Sequence, residues 1–391
     1  MYGVSPELRD ELVELRRDLH RHPELSWKEE RTATRLYDAL AIQSPVSLGR
    51  FAGTGVVARV RGKDSGAPPV ALRGDIDALP IHENTGLDFA SENPGVMHAC
   101  GHDVHAAWTI GAARLLANNP ANSDVLIVLQ PAEEVGQGAE AILASGALDG
   151  VRAIFGAHVD RRFEVGSVVA QEGPVAASAD SWQIILTGQA SHAARPHESA
   201  DPVVGAGALI GALQTIVSRR LNPATPGVVT VGQIHSGTAP NIIPGEAVLQ
   251  GTLRAVEADT RRLLWDELNR MTQSVAETYR LKAEVTLLNG APPIVNPSGP
   301  TAWARAAVAN VLGGDALKPL GFLNMGGEDF AFYLERVPGC FLRIGAREQG
   351  GETIPAHSPK FFAAEESILV GAAVLAECAR VASREDSLVQ S

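Results

Sequence analysis

One short stretch of the sequence places a cysteine and a histidine at a spacing that suits metal binding. Residues 97–103 read Met-His-Ala-Cys-Gly-His-Asp, which places Cys100 and His102 two positions apart in a glycine-containing loop that leads into a predicted helix. A thiolate and an imidazole are good ligands for zinc and similar metals. A Cys-x-His pair alone is more often a buried thiol beside a core histidine, so the interpretation depends on the rest of the chain.

A pair of neighbouring carboxylates follows a strongly apolar segment. The stretch reads Gln130-Pro131-Ala132-Glu133-Glu134, where proline ends the predicted strand. Adjacent glutamates on a helix surface are usually only solvated charge, but two at the end of a buried strand repel each other unless a cation lies there. Because neighbouring side chains in extended backbone point apart, one carboxylate can bind metal while the other faces a reacting water.

Two histidines and two aspartates follow other predicted strands. His158 ends an apolar segment, and His357 lies in a loop bounded by prolines. Asp75 and Asp77 come just after a strand that ends at Arg73, ahead of a proline. Taken alone, His158 would be interpreted as a core histidine. These residues indicate a metal site only when they are considered together with the other ligand-type side chains.

Together, these stretches offer more ligands than one catalytic zinc ion uses. A catalytic zinc takes three protein ligands and a water. The ligand-type side chains are Cys100, His102, Glu134, His158 and His357. Shared between two ions about 3.5–4 Å apart with a bridging water, they fit a binuclear site. Cys100 could instead be a nucleophile paired with a histidine, but the nearby glutamates make metal binding the better interpretation.

The elements that carry these residues follow an α/β pattern. Ser5 can cap the first helix, Pro6 occupies its first position, and Pro23 ends it. After it, short apolar strands alternate with helical stretches, at residues 55–60, 70–73, 104–117, 125–130 and 153–157. This alternation predicts a mostly parallel sheet with helices on both faces. Sites in such sheets lie beyond the carboxyl ends of the strands.

A different pattern begins near residue 179. Strand, helix, two strands, helix and strand are predicted at 182–187, 202–219, 228–234, 247–254, 258–279 and 282–288. This β-α-β-β-α-β order is the ferredoxin-like arrangement. We therefore predict a catalytic domain in two parts, residues 1–178 and 292–391, interrupted by an inserted lid and dimerisation domain, residues 179–291. A polar tail is predicted after about residue 383.

Composition excludes several classes of partner. The 391 residues exceed one ordinary core. The net charge of −12, with no block of lysine and arginine, argues against nucleic acid and anionic membranes. No signal peptide is predicted, and no apolar run approaches the roughly 18 residues of a membrane span. The cysteines, Cys100, Cys340 and Cys378, are too widely spaced for a disulfide framework. These features predict a cytoplasmic protein.

The sequence resembles the metal-dependent aminoacylase/carboxypeptidase family, and within it the branch of hippurate hydrolases and hydrolases of indoleacetyl-amino acid conjugates. The shared stretches run in the family's order, at residues 19–25, 73–81, 97–105, 130–134, 191–196, 237–244, 325–330 and 357–359. The resemblance implies hydrolysis of the amide bond of N-acyl-amino acids by a metal-activated water. It also implies two divalent ions per subunit, drawn from zinc, manganese, cobalt or nickel, and a homodimer or higher homo-oligomer.

The resemblance implies a role for each matching residue. Cys100 would bridge the two ions, and the other ligands would be His102, Glu134, His158 and His357. Glu133 would be the general base, and Asp77 would orient a metal-binding histidine. Asp75 stands where other branches carry a ligand histidine.

The predicted lid would contribute three further residues. His192 would help to hold the oxyanion, and Asn241 and Arg254 would grip the substrate carboxylate. One stretch, Asp160-Arg161-Arg162-Phe163, departs from the pattern of relatives near the predicted mouth of the site and could change substrate preference.

Other functions stay open at this point. A metallo-exopeptidase acting on dipeptides or C-terminal residues would use the same metal site. A binding module of the same fold would not need a general base, so the presence of Glu133 disfavours it. A nicotinamide-binding role is poorly supported, because no Gly-x-Gly-x-x-Gly opens a helix after a strand.

Overall fold

The structure is a computed structural model that describes residues 2–384, apart from the side chain of Asn289. The predicted polar tail, from residue 385 onward, lies outside the described residues. The helices are α1 (Pro6–Arg21), α2 (Glu30–Ala41), α3 (His102–Asn118), α4 (Gly138–Ala144), α5 (Pro202–Thr215), α6 (Ala258–Thr278), α7 (Ser298–Leu312), α8 (Ala331–Leu334) and α9 (Glu366–Ala382).

Within the described residues, the strands form four sheets. Their bounds are β1 (Ser47–Phe51), β2 (Gly55–Val60), β3 (Val70–Asp75), β4 (Val125–Gln130), β5 (Ala153–Glu164), β6 (Val168–Val169), β7 (Gly173–Ala176), β8 (Ala179–Thr187), β9 (Ser191–His192), β10 (Gly227–Ser236), β11 (Ile242–Ile243), β12 (Glu246–Ala255), β13 (Lys282–Ala291), β14 (Ile294–Asn296) and β15 (Gly339–Arg347). The chain divides into two compact units.

The first unit holds the larger sheet and comprises the residues up to Gly173, Asn296–Phe322 and those from Asp329 onward. Seven strands lie in the order β1-β2-β4-β3-β5-β15-β6. Only β2 and β6 run against the other five. Every residue of β3 and β4 is buried, as expected for strands covered on both faces. The predicted mostly parallel α/β sheet is confirmed.

Helix α1 begins as its sequence predicts and is held to the start of α3. Ser5 Oγ accepts a hydrogen bond from the Leu8 N–H. The Arg16 guanidinium lies 2.7 Å from Asp103 Oδ2, and His20 Nδ1 lies 2.8 Å from the same oxygen. Burial alone would raise the pKa of Asp103, but Arg16 and His20 hold it well below its ordinary value. This buried network fixes the helix that begins at His102.

The second unit comprises Pro174–Val295 and Leu323–Glu328. Its main sheet is antiparallel, in the order β10-β12-β8-β13. Along the chain its main elements follow the order strand, helix, strand, strand, helix, strand. Side chains of β8 alternate between buried and half-buried, because α5 and α6 pack on the sheet and on each other. The core of this unit includes Trp182, Leu209 and Leu264.

One helix of the second unit corrects the sequence analysis. Helix α5 and the π-helical turn after it together span Pro202–Arg220. By length and composition alone, this helix could cross a membrane. The prediction that no apolar run approaches this length is therefore wrong. Gly205, Leu209 and Leu213 supply the buried face of this helix, and the exposed Val203, Val204 and Val217 add further apolar residues.

Candidate metal centre and active site

The sheet of the first unit gathers the predicted site residues near the carboxyl ends of its central strands. Asp75 is the last residue of β3, and the Glu133-Glu134 pair follows β4 after two residues, Pro131 and Ala132. His158 lies within β5, because this strand continues to Glu164 and does not end at residue 157 as its apolar run suggested. The ladder between β3 and β5 nevertheless ends at the pair Arg73–Gly156, so His158 lies just beyond it.

Glycine is required between the two members of the Cys-x-His pair. Gly101 has φ +94°, in the left-handed region, and a Cβ there would lie 2.4 Å from Val159 Cγ2. A side chain would therefore be strained both by the backbone and by the close contact. Gly101 lets the loop turn sharply into α3, which presents Cys100 and His102 to the same region.

The first ligand group consists of Cys100, His102 and His158, whose ligand atoms lie within 4.8 Å of one another. Cys100 Sγ is 3.2 Å from His158 Nε2. His158 Nδ1 donates to the Val159 carbonyl at 2.7 Å, which leaves Nε2 as the atom that faces the thiol. Burial raises the pKa of the Cys100 thiol well above its ordinary value, and Glu134 adds to the effect. Burial also keeps the pKa of His158 well below its ordinary value.

The second group consists of Cys100, Glu134 and His357, again with ligand atoms within 4.8 Å. His357 Nε2 lies 3.5 Å from Glu134 Oε2. The His357 side chain is 54% exposed, yet its backbone is fixed, because its N–H donates to the Ala99 carbonyl at 2.8 Å. The loop between β15 and α9 is thus tied to the loop that carries Cys100.

The third group joins His102 to the two glutamates. His102 Nε2 lies 3.8 Å from both Glu133 Oε2 and Glu134 Oε1. His102 Nε2 and Glu134 Oε1 are buried, and neither has a hydrogen-bond partner among the described residues. Two buried polar atoms that face each other without a partner are costly, and a cation between them would satisfy both.

Electrostatics at this point also favour a cation. Burial would lower the pKa of His102, but the carboxylates of Asp75 and Asp77 outweigh it and raise that pKa well above its ordinary value. Burial raises the pKa of Glu134 to about 7. His102 and Glu134 therefore favour their protonated forms when no other positive charge is present, and a divalent ion can take the place of those protons.

Asp77 connects three parts of the cluster. Its Oδ1 lies 3.2 Å from His102 Nδ1, which also donates to the Asp77 carbonyl at 2.9 Å. Its Oδ2 accepts from the Ser26 hydroxyl at 2.7 Å and from the Glu134 N–H at 3.0 Å. Since Nδ1 of His102 is occupied as a donor, Nε2, which faces the glutamates, is the ring nitrogen that can bind a cation.

His105 is a residue of the cluster that the sequence analysis missed. Its Nδ1 donates to Asp75 Oδ1 at 2.6 Å, and its Nε2 accepts from the Val159 N–H at 3.0 Å. Arg73 also donates to Asp75, at 2.6 Å. His105 therefore links Asp75 to the backbone beside His158. The available signal was helical spacing, since residues three apart lie on the same helix face.

The second unit carries the three predicted lid residues. His192 in β9 pairs with Ile242 in β11, and the Ala193 N–H donates to the Asn241 carbonyl at 3.1 Å. His192 and Asn241 thus belong to one small ribbon, and both are exposed. Arg254 lies in β12, where a Cβ on Gly327 would be 3.3 Å from its Nη1. His192 Nδ1 accepts from the Ala194 N–H at 3.0 Å, so Nε2 carries the ring proton.

The unusual stretch at the end of β5 has a structural role in the first unit. Arg161 is buried and donates to Glu348, at 2.9 Å, and to the carbonyls of Glu352 and Phe362, at 2.8 and 3.0 Å. These partners lie on both sides of His357 in the chain. Arg161 thus fastens the loop that presents His357, which hydropathy alone did not reveal.

The strand ends of this sheet bring together a thiol, several imidazoles and two adjacent carboxylates. This combination, together with buried polar atoms that lack a partner, is typical of a metallohydrolase. The chain belongs to the family described as peptidase family M20/M25/M40, whose model matches residues 71–381. The resemblance found in the sequence is therefore confirmed, and the protein is a hydrolase of amide bonds.

Three relatives illustrate the similarity. An N-acetyl-L-cysteine deacetylase of Bacillus subtilis is 38% identical over 98% of this chain and 91% of its own length. The IAA-amino acid hydrolase ILR1-like 2 of Arabidopsis thaliana is 35% identical over 97% and 86%. The crystal structure of the Bacillus subtilis YXEP protein, a dinuclear metal binding peptidase from the M20 family, is 34% identical, covers 96% of this chain and 99% of that chain, and superposes with a TM-score of 0.84.

Proposed function

We propose that the protein hydrolyses the amide bond of N-acyl-amino acids with the help of two divalent metal ions. The observation that carries the proposal is the pair of buried, unpartnered atoms, His102 Nε2 and Glu134 Oε1, beside a second carboxylate. A site that only bound a metal for stability would have no need of Glu133 in this position. The deacetylase and the conjugate hydrolase among the relatives support the same class of substrate.

The donor set of the first unit fits two ions. Cys100 is the residue shared by the group that contains His158 and the group that contains His357, so we assign it as the bridging ligand, the role that the resemblance implies. The other proposed ligands are His102, Glu134, His158 and His357. Thiolate and imidazole donors suit zinc, cobalt or nickel, and the glutamate carboxylate suits manganese. When bound, the ions supply a water of lowered pKa and polarise the amide carbonyl.

The residues of the chain supply the proton transfers and the orientation. Glu133 takes the proton of the attacking water and passes it to the leaving amine. Asp77 holds the His102 ring so that Nε2 faces the glutamates. His192 has its proton on Nε2, so it can donate to the oxyanion that forms on the amide oxygen. Asn241 and Arg254 grip the substrate carboxylate, for which arginine is suited by its paired donors.

We propose that the second unit is a ferredoxin-like lid and dimerisation domain, predicted from sequence at residues 179–291. Two features of this unit support a homodimer or higher homo-oligomer. Strand β10 is an edge strand with exposed Val228 and Ile234, and α5 exposes Val203 and Val204. Exposed edges and apolar faces favour association. The free cysteines fit the reducing cytoplasm, and the net charge of −12 disfavours nucleic acid and anionic membranes as partners.

A metallo-exopeptidase is the second candidate, because the solved relative is itself described as a peptidase. The experiment is turnover of a panel of N-acyl-amino acids and of dipeptides after reconstitution with zinc, manganese, cobalt or nickel separately. Our proposal expects turnover of acyl-amino acids in excess of dipeptides. Higher turnover of dipeptides would replace it by the exopeptidase.

Alkylation of Cys100 should depend on bound metal. A bridging thiolate is shielded by its ions, so metal should protect Cys100 from iodoacetamide, and alkylation of the metal-free protein should block later metal uptake. Peptide mass spectrometry reads each thiol separately. Cys340 and Cys378 serve as internal controls, because both are fully buried, whereas 8% of Cys100 is exposed. Equal alkylation of Cys100 with and without metal would contradict the bridging role.

A further inference from the structure

The backbone directly before the glutamate pair has an uncommon conformation. Ala132 has φ +53°, in the left-handed region that residues with a Cβ seldom adopt. Its side chain is fully buried. The turn at Ala132 sets the direction in which Glu133 leaves the chain. Such a conformation persists only where neighbouring groups hold it.

Both polar groups of the Ala132 backbone are held. Its carbonyl accepts from the N–H groups of Gln137 and Gly138, at 3.3 and 3.2 Å. Its N–H donates to Glu29 Oε1 at 2.9 Å. The first two bonds are internal to the loop after β4. The third comes from the distant segment before α2, so Glu29 is what fastens the turn to the rest of the first unit.

Glu29 occupies a buried position in which a carboxylate is energetically unfavourable without hydrogen-bond partners. It is fully buried, and burial raises the pKa of its carboxyl group. Its second oxygen, Oε2, accepts from the Thr54 hydroxyl at 2.6 Å. Burying a carboxylate costs free energy unless its hydrogen bonds compensate, and here the two oxygens are engaged by one backbone N–H and one hydroxyl. The N–H of Ala132 is the partner that lies next to the proposed chemistry.

Neighbours of Glu29 in the same segment contact the same region. Ser26 donates to Asp77 Oδ2, and the Trp27 indole N–H donates to Gln137 Oε1 at 2.9 Å. Residues 26–29 therefore support the glutamate loop at several points. The stretches that carry the family resemblance include residues 19–25 and resume at residue 73, so this segment lies outside them.

We propose that Glu29 is a positioning residue: by holding the left-handed turn at Ala132, its carboxylate aims Glu133 at the reacting atoms. This inference rests on the proposed role of Glu133 as general base. It assigns no contact between Glu29 and the substrate or the metals. The expected signature is a loss in kcat with little change in KM, because orientation matters for the reacting geometry more than for binding.

The test compares three variants at saturating metal. Glu29→Leu removes the acceptor at similar size and should lower kcat about tenfold to a hundredfold, the range that follows from a misplaced catalytic group. Glu29→Gln keeps an acceptor oxygen for the Ala132 N–H and should restore most of the rate. Glu24→Leu is the matched control, because Glu24 lies in the same segment but accepts from the N–H groups of Arg31 and Thr32. It should lower the melting temperature and leave kcat unchanged.

A second readout needs no substrate. Hydrogen–deuterium exchange at the Ala132 amide should accelerate in Glu29→Leu and stay at the wild-type rate in Glu24→Leu and Glu29→Gln. If Glu29→Leu does not fold, Glu29→Asp replaces it, because the shorter side chain withdraws the carboxylate by one methylene. The same lower kcat and faster exchange at Ala132 are expected for it. Unchanged exchange or unchanged kcat in the folded variant would overturn the inference. If the wild-type protein hydrolysed no acyl-amino acid, the proposed function would fall, while exchange would still report whether Glu29 holds Ala132.

Discussion

Glu133→Gln should retain the bound metals and lose kcat by about 10²–10⁴-fold, the usual contribution of a general base. The amide has the shape of the carboxylate but cannot accept the proton of the attacking water. KM should change little, because the substrate loses no contact. Steady-state kinetics together with elemental analysis of the purified variant measures both effects.

The neighbouring residue provides the matched control. Glu134 lies 3.5 Å from His357 Nε2 and 3.8 Å from His102 Nε2, so we expect Glu134→Gln to lower metal occupancy in the same elemental analysis. The two variants carry the same chemical change one residue apart. If Glu133→Gln lost the metals and Glu134→Gln kept them, the roles of the two residues would have to be exchanged.

His192→Ala should keep its fold and its metals and lose kcat by about two to three orders of magnitude, as expected for one oxyanion donor. The Ala194 N–H occupies Nδ1 of His192, so the proton lies on the exposed Nε2. KM should change less, because the contact strengthens mainly in the transition state. Circular dichroism and metal analysis establish that the variant is folded and loaded before its kinetics are compared.

Mixing two inactive variants decides which subunit provides His192. If the histidine acts across a dimer interface, mixed dimers of His192→Ala with Glu133→Gln should regain activity, since one site then holds both intact residues. Absence of recovery despite demonstrated subunit exchange would show that each chain serves itself. A His192→Ala protein with normal kcat would remove the lid from the mechanism.

The central sheet was predictable because its strands are apolar and short. Hydropathy located the core of β3 and β4, but it ended β3 at Arg73 and β5 at residue 157. Both strands extend further, to Asp75 and Glu164. The reason is that these extensions carry buried charged residues with partners: Arg73 and Asp75 are both buried, 2.6 Å apart, and buried Arg161 lies 2.9 Å from half-buried Glu348. A hydropathy profile scores charged residues as exposed and contains no information about a partner that is distant in the sequence.

The candidate site was predictable to a similar extent. Residue type and position after strands identified the side chains whose ligand atoms the structure brings within 4.8 Å, such as Cys100, His102 and His158. The supporting residues His105 and Glu29 were missed. His105 is important because it accepts a hydrogen bond from the Val159 N–H, and Glu29 because it accepts one from the Ala132 N–H. Those pairs are 54 and 103 residues apart in the chain, so no local pattern indicates them.

Removal and return of the metals tests the central claim most directly. The purified protein is dialysed against a chelator, and turnover of an N-acyl-amino acid is followed during titration with zinc, manganese, cobalt or nickel. We predict that the metal-free protein is inactive and that activity returns with at least one of these ions, reaching its maximum at two bound ions per chain. A metal-free protein that hydrolyses the substrate at the full rate would contradict the account.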